Sequence, residues 1–195
     1  MPSHIFVQNL NKSCNIKIVC YNISMLDVYY TFNKIESEDF IRFIFRRYYN
    51  IPNPTICKSI HGKPFIENNK IHFNLTHSKG LTALAVGKKR IGLDCESITG
   101  KPRPAVLNKF SDREKNEIQS SADFYSHWTA RESYIKHIGE TLAAFWRKVE
   151  FYRGEIYCMG EKTDIPILQF EVDNYVFSAC GFYSKINLRQ IAFDE

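Results

Sequence analysis

Three strand-like runs stand close together in this chain, at 71–75 (IHFNL), 81–86 (LTALAV) and 90–95 (RIGLDC). The gaps hold Ser78-Lys79-Gly80 and Gly87-Lys88-Lys89, both of turn composition. Their tight spacing predicts a meander of neighbouring strands. More strand-like runs follow at 147–152, 155–159, 166–171 and 175–182, with a turn at Arg153-Gly154, and another stands near the start at 16–21 (IKIVCY). Helical patterns are separate from them. Ser37 precedes Glu38 and Asp39, a helix-start signal. Phe40, Ile41, Ile44, Phe45 and Tyr48 then recur at helical spacing until Ile51-Pro52-Asn53-Pro54 ends the pattern. Ser111 with Glu114 forms a capping box that predicts a helix over 112–119. A longer helix is predicted over 123–138, with Phe124, Trp128, Ile135 and Ile138 apolar and Gly139 as its stop. Strands grouped instead of alternating with helices predict an α+β fold over a parallel doubly wound sheet. The stretch 97–104 (SITGKPRP) reads as a linker between two halves, 1–97 and 98–195.

Composition narrows the class. The chain has 195 residues, 44% hydrophobic and 24% charged, with 15 Phe and 11 Tyr, which is ordinary for a folded globular protein. A formal charge of +5 is too small for a dedicated nucleic-acid binder but suits an anionic ligand or an acidic partner. The six cysteines (14, 20, 57, 95, 158 and 180) contain no C-x-x-C pair, which argues against zinc and redox motifs. Met1 to Leu10 lacks the basic-then-apolar pattern of a signal peptide, and no apolar run approaches a membrane span. The expectation is a reduced, cytoplasmic protein.

Chemistry concentrates in two short segments. Ile91-Gly92-Leu93-Asp94-Cys95-Glu96 reads as a buried strand ending in two acids. Residues i and i+2 of a strand share a side, so Asp94 and Glu96 project together and Cys95 faces away. In Trp128 to Lys136, the residues Trp128, Glu132 and Lys136 lie four apart on one helical face. If strand end and helix meet, three carboxylates and an ammonium converge, a site for a hard divalent cation and a phosphate ester. Either motif alone would read as an exposed strand end or an ordinary surface Glu132/Lys136 pair. The combination gains weight because Asp94 ends an apolar strand, Trp128 shares the Glu132 face, and the strand at 71–75 leads into Thr76-His77-Ser78. His77, between two hydroxyl residues, is a candidate anion seat. Gly62-Lys63-Pro64-Phe65 is a turn whose lysine suits a phosphate or a nucleotide ring. No phosphate loop, G-x-G-x-x-G fingerprint, G-x-S-x-G elbow or H-E-x-x-H pair is present.

Five segments in sequence order resemble the 4'-phosphopantetheinyl transferase superfamily, its Sfp-type branch in particular: Gly62-Lys63-Pro64, Phe73 to Ser78, Gly92 to Glu96, Phe110 to Glu114, and Trp128 to Lys136. They cover roughly 60–140. Family members often carry Lys where Arg131 stands, Ser where Thr76 stands and an aliphatic residue where Cys95 stands, and Glu140-Thr141 replaces a Gly-containing turn. The resemblance implies a pseudo-dimer of two similar halves, each a helix packed on a mainly antiparallel sheet. The half 1–97 would carry the coenzyme A-binding strands and the half 98–195 the Glu/Lys helix, with the site in the cleft between them.

It also implies a reaction. Phosphopantetheine would pass from coenzyme A to a serine of an apo acyl or peptidyl carrier protein, and 3',5'-ADP would leave. Asp94, Glu96 and Glu132 would hold Mg²⁺, and Lys136 would contact a phosphate. Thr76, His77, Lys63 and Asp94 would belong to the coenzyme A site, with Arg42, Arg46 and Arg47 as candidates for its 3'-phosphate. Glu132 or a metal-bound water would take the serine proton. The implied partner is an acidic carrier protein, with no nucleic acid, no membrane, and a monomer sufficient to form the cleft. Two other readings stay open: a non-enzymatic coenzyme A- or carrier-binding homologue, and an unrelated Mg²⁺-dependent phosphodiesterase or nuclease using the same acids.

Overall fold

The computed structural model describes residues 24–102 and 104–193. The strand expected at 16–21, with Cys14 and Cys20, lies outside the described residues. In chain order the elements are β1 (Met25–Thr31), α1 (Ser37–Tyr48), β2 (Ile56–Lys58), β3 (Pro64–Ile66), β4 (His72–Ser78), β5 (Leu81–Gly87) and β6 (Gly92–Ser97). Then come α2 (Pro104–Leu107), α3 (Asp112–Glu117), α4 (Ser121–Ile138), α5 (Leu142–Phe145) and a 3₁₀ turn (Trp146–Lys148). β7 (Val149–Tyr152), β8 (Glu155–Cys158), β9 (Glu161–Lys162), β10 (Ile167–Val172), β11 (Tyr175–Cys180) and β12 (Lys185–Gln190) complete a mixed α+β fold.

Local chemistry sets the helix ends. α1 buries Phe40, Ile41, Ile44 and Phe45, with acids in its first turn and Arg46 and Arg47 in its last, an arrangement that complements the helix dipole. Its cap residue is Glu36, and Ser37 is the first helical residue. α3 carries the expected capping box, in which Glu114 Oε2 accepts the Ser111 N–H at 2.9 Å. α4 starts two residues earlier than predicted because Ser120 Oγ accepts the Asp123 N–H at 3.1 Å. It stops at Gly139, whose φ of 82° is the left-handed conformation that glycine adopts without strain.

Two sheets dominate. The first has the order β12-β1-β5-β4 and the second β10-β11-β6. β4 and β5 pair antiparallel, as the meander predicts. β6 departs from it and pairs with β11 in the other sheet. The departure has a packing cause. Ile91, Leu93 and Cys95 face Leu26, Val28, Leu81, Ala83 and Ala85, so β6 fills the core between the sheets instead of extending the first one. The sheets also interleave along the chain, because β12 returns to lie parallel to β1.

Each large sheet carries one long helix on its outer face. α1 covers Tyr29, Phe73, Leu84 and Val86 of the first sheet. α4 packs Ala130, Tyr134 and Ile135 with Cys180 of β11 and with Val149, Phe151 and Ile156 of the β7-β8 hairpin. Leu26, Val28, Phe40, Ile44, Leu84 and Leu93 are fully buried, each contributing about 1.5–3 kcal/mol of transfer free energy. At one point the helix touches strand backbone. A Cβ on Gly92 would lie 1.8 Å from Ser133 O and 2.5 Å from His137 N, so only glycine lets α4 settle onto β6. That contact carries Glu132 and Lys136 to the acids.

Candidate active site

β6 presents its residues as strand alternation demands. Cys95 lies in the core between the sheets, and burial pushes its thiol well above the ordinary range. Asp94 and Glu96 project from the opposite face, toward α4 and the end of β4. Asp94 is 3% exposed. Its Oδ1 accepts hydrogen bonds from Thr76 Oγ1 at 2.9 Å and Lys136 Nζ at 2.7 Å. The same ammonium lies 3.4 Å from Thr76 Oγ1 and 3.6 Å from Glu132 Oε1. Strand and helix therefore meet as the two motifs predict, with Lys136 between Asp94 and Glu132. Asp94 Oδ2 is buried with no hydrogen-bond partner among the described residues.

The remaining acid is held from β4. Ser78 Oγ donates to Glu96 Oε2 at 2.5 Å and accepts the Ser97 N–H at 3.2 Å. Further along, Asn74 Oδ1 accepts the Leu93 N–H at 2.6 Å. Asn74, Thr76 and Ser78 share one face of β4, and all three are buried. They form a polar row joining β4 to β6 where the two strands, in different sheets, share no backbone ladder.

The electrostatics record an excess of negative charge. Burial raises the Glu132 carboxyl to about 7, aided by Asp94 and Glu96 and opposed by Lys136. Burial also raises Glu96, with the Ser78 hydrogen bond opposing it. Burial works against the Lys136 ammonium, but Asp94 and Glu132 more than offset it and hold its pKa above the usual value. One ammonium thus faces three carboxyl groups. Among the described residues no three His, Cys, Asp or Glu side chains close into a metal cage.

Other expected site residues stand apart from this centre. Lys63 does not face the acids. Its Nζ donates to Ile91 O at 2.8 Å and Lys136 O at 2.6 Å. It thereby satisfies a carbonyl in the last turn of α4 and ties that turn to the entry of β6. Burial, with Arg90 and Lys136 nearby, lowers its pKa to about 8. It lines a cavity of about 310 Å³ together with His72, Arg90 and His137. His77 alternates away from Thr76 and lies exposed, with Nε2 3.1 Å from Ser37 Oγ at the start of α1. Arg42 donates to Pro54 O at 2.8 Å and pairs with Glu38 on the surface of α1. Trp128 shares the Glu132 side of α4 but packs against Trp146, ring centroids 4.7 Å apart.

Arg131 has a structural environment that residue counting does not reveal. It is 1% exposed. Its Nε donates to Glu114 Oε1 at 2.8 Å and its Nη2 to Glu114 Oε2, while Nη1 reaches Trp146 O at 3.3 Å. Its guanidinium also lies 4.6 Å from the Phe110 ring and 4.7 Å from the Trp146 ring. The only sequence signal for this pairing was the Ser111/Glu114 capping box, which announces a helix start and says nothing of a distant arginine.

With this geometry in place, the similarities to known proteins are informative. Residues 90–180 match the sequence profile of the 4'-phosphopantetheinyl transferase superfamily. The chain is 31% identical over 150 residues to the 4'-phosphopantetheinyl transferase gsp of Aneurinibacillus migulanus, covering 70% of this chain and 63% of that protein. It is 35% identical over 92 residues to the 4'-phosphopantetheinyl transferase of Bacillus subtilis, covering 43% and 40%. It is 35% identical over 95 residues to the 4'-phosphopantetheinyl transferase HetI of Nostoc sp., covering 44% and 40%. The chain thus spans less than two thirds of the length of these curated relatives. The matched stretch contains β6, α3, α4 and β11, the elements that carry Asp94, Glu96, Glu132 and Lys136, and it places this chain in the 4'-phosphopantetheinyl transferase superfamily.

Proposed function

We propose that this chain transfers 4'-phosphopantetheine from coenzyme A to a serine of an apo acyl or peptidyl carrier protein, with Mg²⁺, releasing 3',5'-ADP. The observation that carries the reading is the Asp94–Lys136–Glu132 arrangement, with an unpartnered Asp94 Oδ2 beside it. The residues fit a hard cation. They offer carboxylate oxygens, one of them buried without a partner, in a cluster where burial, with neighbouring carboxylates adding to it, raises Glu96 and Glu132. Mg²⁺ usually takes one or two carboxylates together with substrate phosphate and water, so a closed protein cage is unnecessary. Asp94, Glu96 and Glu132 would hold it, and it would neutralise charge on the pyrophosphate and polarise the reacting phosphorus.

The chain's own groups supply the rest. The serine oxygen forms a bond to the phosphorus that bears pantetheine, the bond from that phosphorus to the bridging oxygen breaks, and 3',5'-ADP takes the electron pair. Glu132 or a metal-bound water would accept the serine proton. Lys136 exchanges part of its contact with Asp94 for a phosphate oxygen and offsets charge on the leaving group. Thr76 fixes the Asp94 carboxylate. We place Lys63 as a clamp on the last turn of α4, and His77 at an outer position against the coenzyme A phosphates. The layer of α1 and the layer of α4 would form the halves of a pseudo-dimer, built mainly from 1–97 and 98–195 but with β6 of the first stretch in the second layer and β12 of the second stretch in the first, and the formal charge of +5 suits an acidic carrier. Among the described residues no helix is long and apolar enough to cross a membrane.

The test is a mass spectrum of several apo carrier proteins after incubation with the chain, coenzyme A and Mg²⁺. Gain of the phosphopantetheine mass on a serine is expected. Coenzyme A binding without any mass gain would replace this reading with the non-enzymatic one.

A further inference from the structure

Glu96 depends on a hydroxyl of β4 for its orientation. Ser78 sits at the end of β4, 8% exposed. Its Oγ accepts the Ser97 N–H at 3.2 Å, and that bond orients the hydroxyl so that its hydrogen points along the 2.5 Å contact to Glu96 Oε2. The backbone of Glu96 is fixed by its register opposite Val176 of β11, but the ladder leaves the carboxylate torsions free. Asp94 is steadied by two side chains, Thr76 and Lys136. For Glu96 the corresponding hydrogen bond comes from Ser78.

We propose that Ser78 is a positioning residue: it sets the direction of the Glu96 carboxylate beside Asp94, so that the two acids take a divalent cation together. The proposal rests on the metal reading above. Hydrogen bonds to metal-ligating carboxylates commonly govern affinity by roughly 10- to 100-fold. Geometry also explains the motif spacing, since positions 76 and 78 share a strand face just as 94 and 96 do.

The experiment titrates Mn²⁺ into the chain without coenzyme A or carrier, by calorimetry or water-proton relaxation, using Ser78→Thr and Ser78→Val. These two side chains have nearly the same shape and differ in the hydroxyl. We expect Ser78→Thr to bind Mn²⁺ like wild type and Ser78→Val to bind roughly 10- to 100-fold more weakly, its melting temperature lowered by loss of the Ser97 N–H acceptor but the chain still folded at the titration temperature. Equal Mn²⁺ affinity in Ser78→Val and wild type would overturn the role of Ser78 while leaving the metal reading intact. Equal weakening in Ser78→Thr and Ser78→Val would overturn it as well. A wild-type chain that binds no Mn²⁺, or whose binding survives Asp94→Asn, would remove the metal reading and this proposal together. If Ser78→Val does not fold, Ser78→Ala deletes the hydroxyl without adding bulk and decides the same question.

Discussion

Two buried acid–base groups lie a short way apart along α4, and they differ in how completely they are satisfied. The Arg131–Glu114 pair is closed. Both carboxylate oxygens are bonded, Glu114 also accepts the Phe151 N–H at 2.9 Å, and the guanidinium lies against two aromatic rings. The Asp94–Lys136–Glu132 group is open. One Asp94 oxygen is unpartnered, the Lys136 and Glu132 side chains are 25% and 23% exposed, and Glu132 is raised to about 7. Glu132 follows Arg131 directly in α4, so one step around the helix separates a structural anchor from a site with spare electrostatic capacity. Burial and opposite charge are common to both, so neither marks function by itself. What sets the open group apart is an unpartnered carboxylate oxygen beside further carboxyl groups.

The comparison breaks most sharply at the open group. Asp94→Ala and Glu132→Ala should each lower transfer to a carrier serine by roughly 10²–10⁴-fold with little loss of melting temperature. Near-wild-type transfer in both variants, measured in the mass assay, would erase the distinction. At the closed group the effect should fall on stability instead. Glu114→Ala leaves a buried arginine unpaired and should cost about 3–5 kcal/mol, read as a lower urea midpoint with unchanged m-value. A surface-like loss below about 1 kcal/mol would show that the pair is not the anchor described.

Two smaller effects sharpen the boundary between the groups. Gly92→Ala forces α4 off β6 and should destabilise by about 1–3 kcal/mol, while disproportionately lowering transfer because Glu132 and Lys136 move with the helix. Loss of stability without the extra loss of transfer would separate helix seating from the site. The smallest effect concerns His137, whose Nδ1–H donates to Cys180 O at 3.1 Å. Burial, with Lys63 and Arg90 nearby, pulls its pKa down to about 4, from an ordinary value of 6.5. The unfolded chain therefore binds more protons below pH 6.5, and the stabilisation present above that pH is lost as pH falls toward 4. In a Glu132→Gln background, which removes the opposing titration of Glu132, urea midpoints should fall from pH 7 to pH 5 and flatten when His137→Asn is added. Identical slopes would contradict the buried neutral ring.

The legible parts of the chain were those with local signals. Grouped strands, the apolar face of α1, the Ser111/Glu114 cap, Gly139 as a stop and the outward pairing of Asp94 with Glu96 all follow from periodicity and capping chemistry. β1 (MLDVYYT) and β12 (KINLRQ) escaped notice because their polar residues blur the alternation, and their pairing spans about 160 positions. The meander failed at β6 because its apolar residues suit a seat between two sheets as well as a place within one. His77 looked like a partner of Thr76 from adjacency, yet neighbours on a strand face opposite ways. The two backbone carbonyls that hold Lys63 are distant in sequence, so its turn could not announce them.

By itself the sequence determined which side chains share a face, because backbone periodicity ties direction to position number. It also determined the α+β class, through the grouping of strands. Only the tertiary structure decided which faces meet: that β6 crosses to the second sheet, that α4 descends onto Gly92, that Arg131 is closed off by Glu114 while Asp94 keeps an oxygen unpaired. Those outcomes come from shape complementarity and hydrogen-bond satisfaction between segments distant in the chain, quantities that no local pattern encodes.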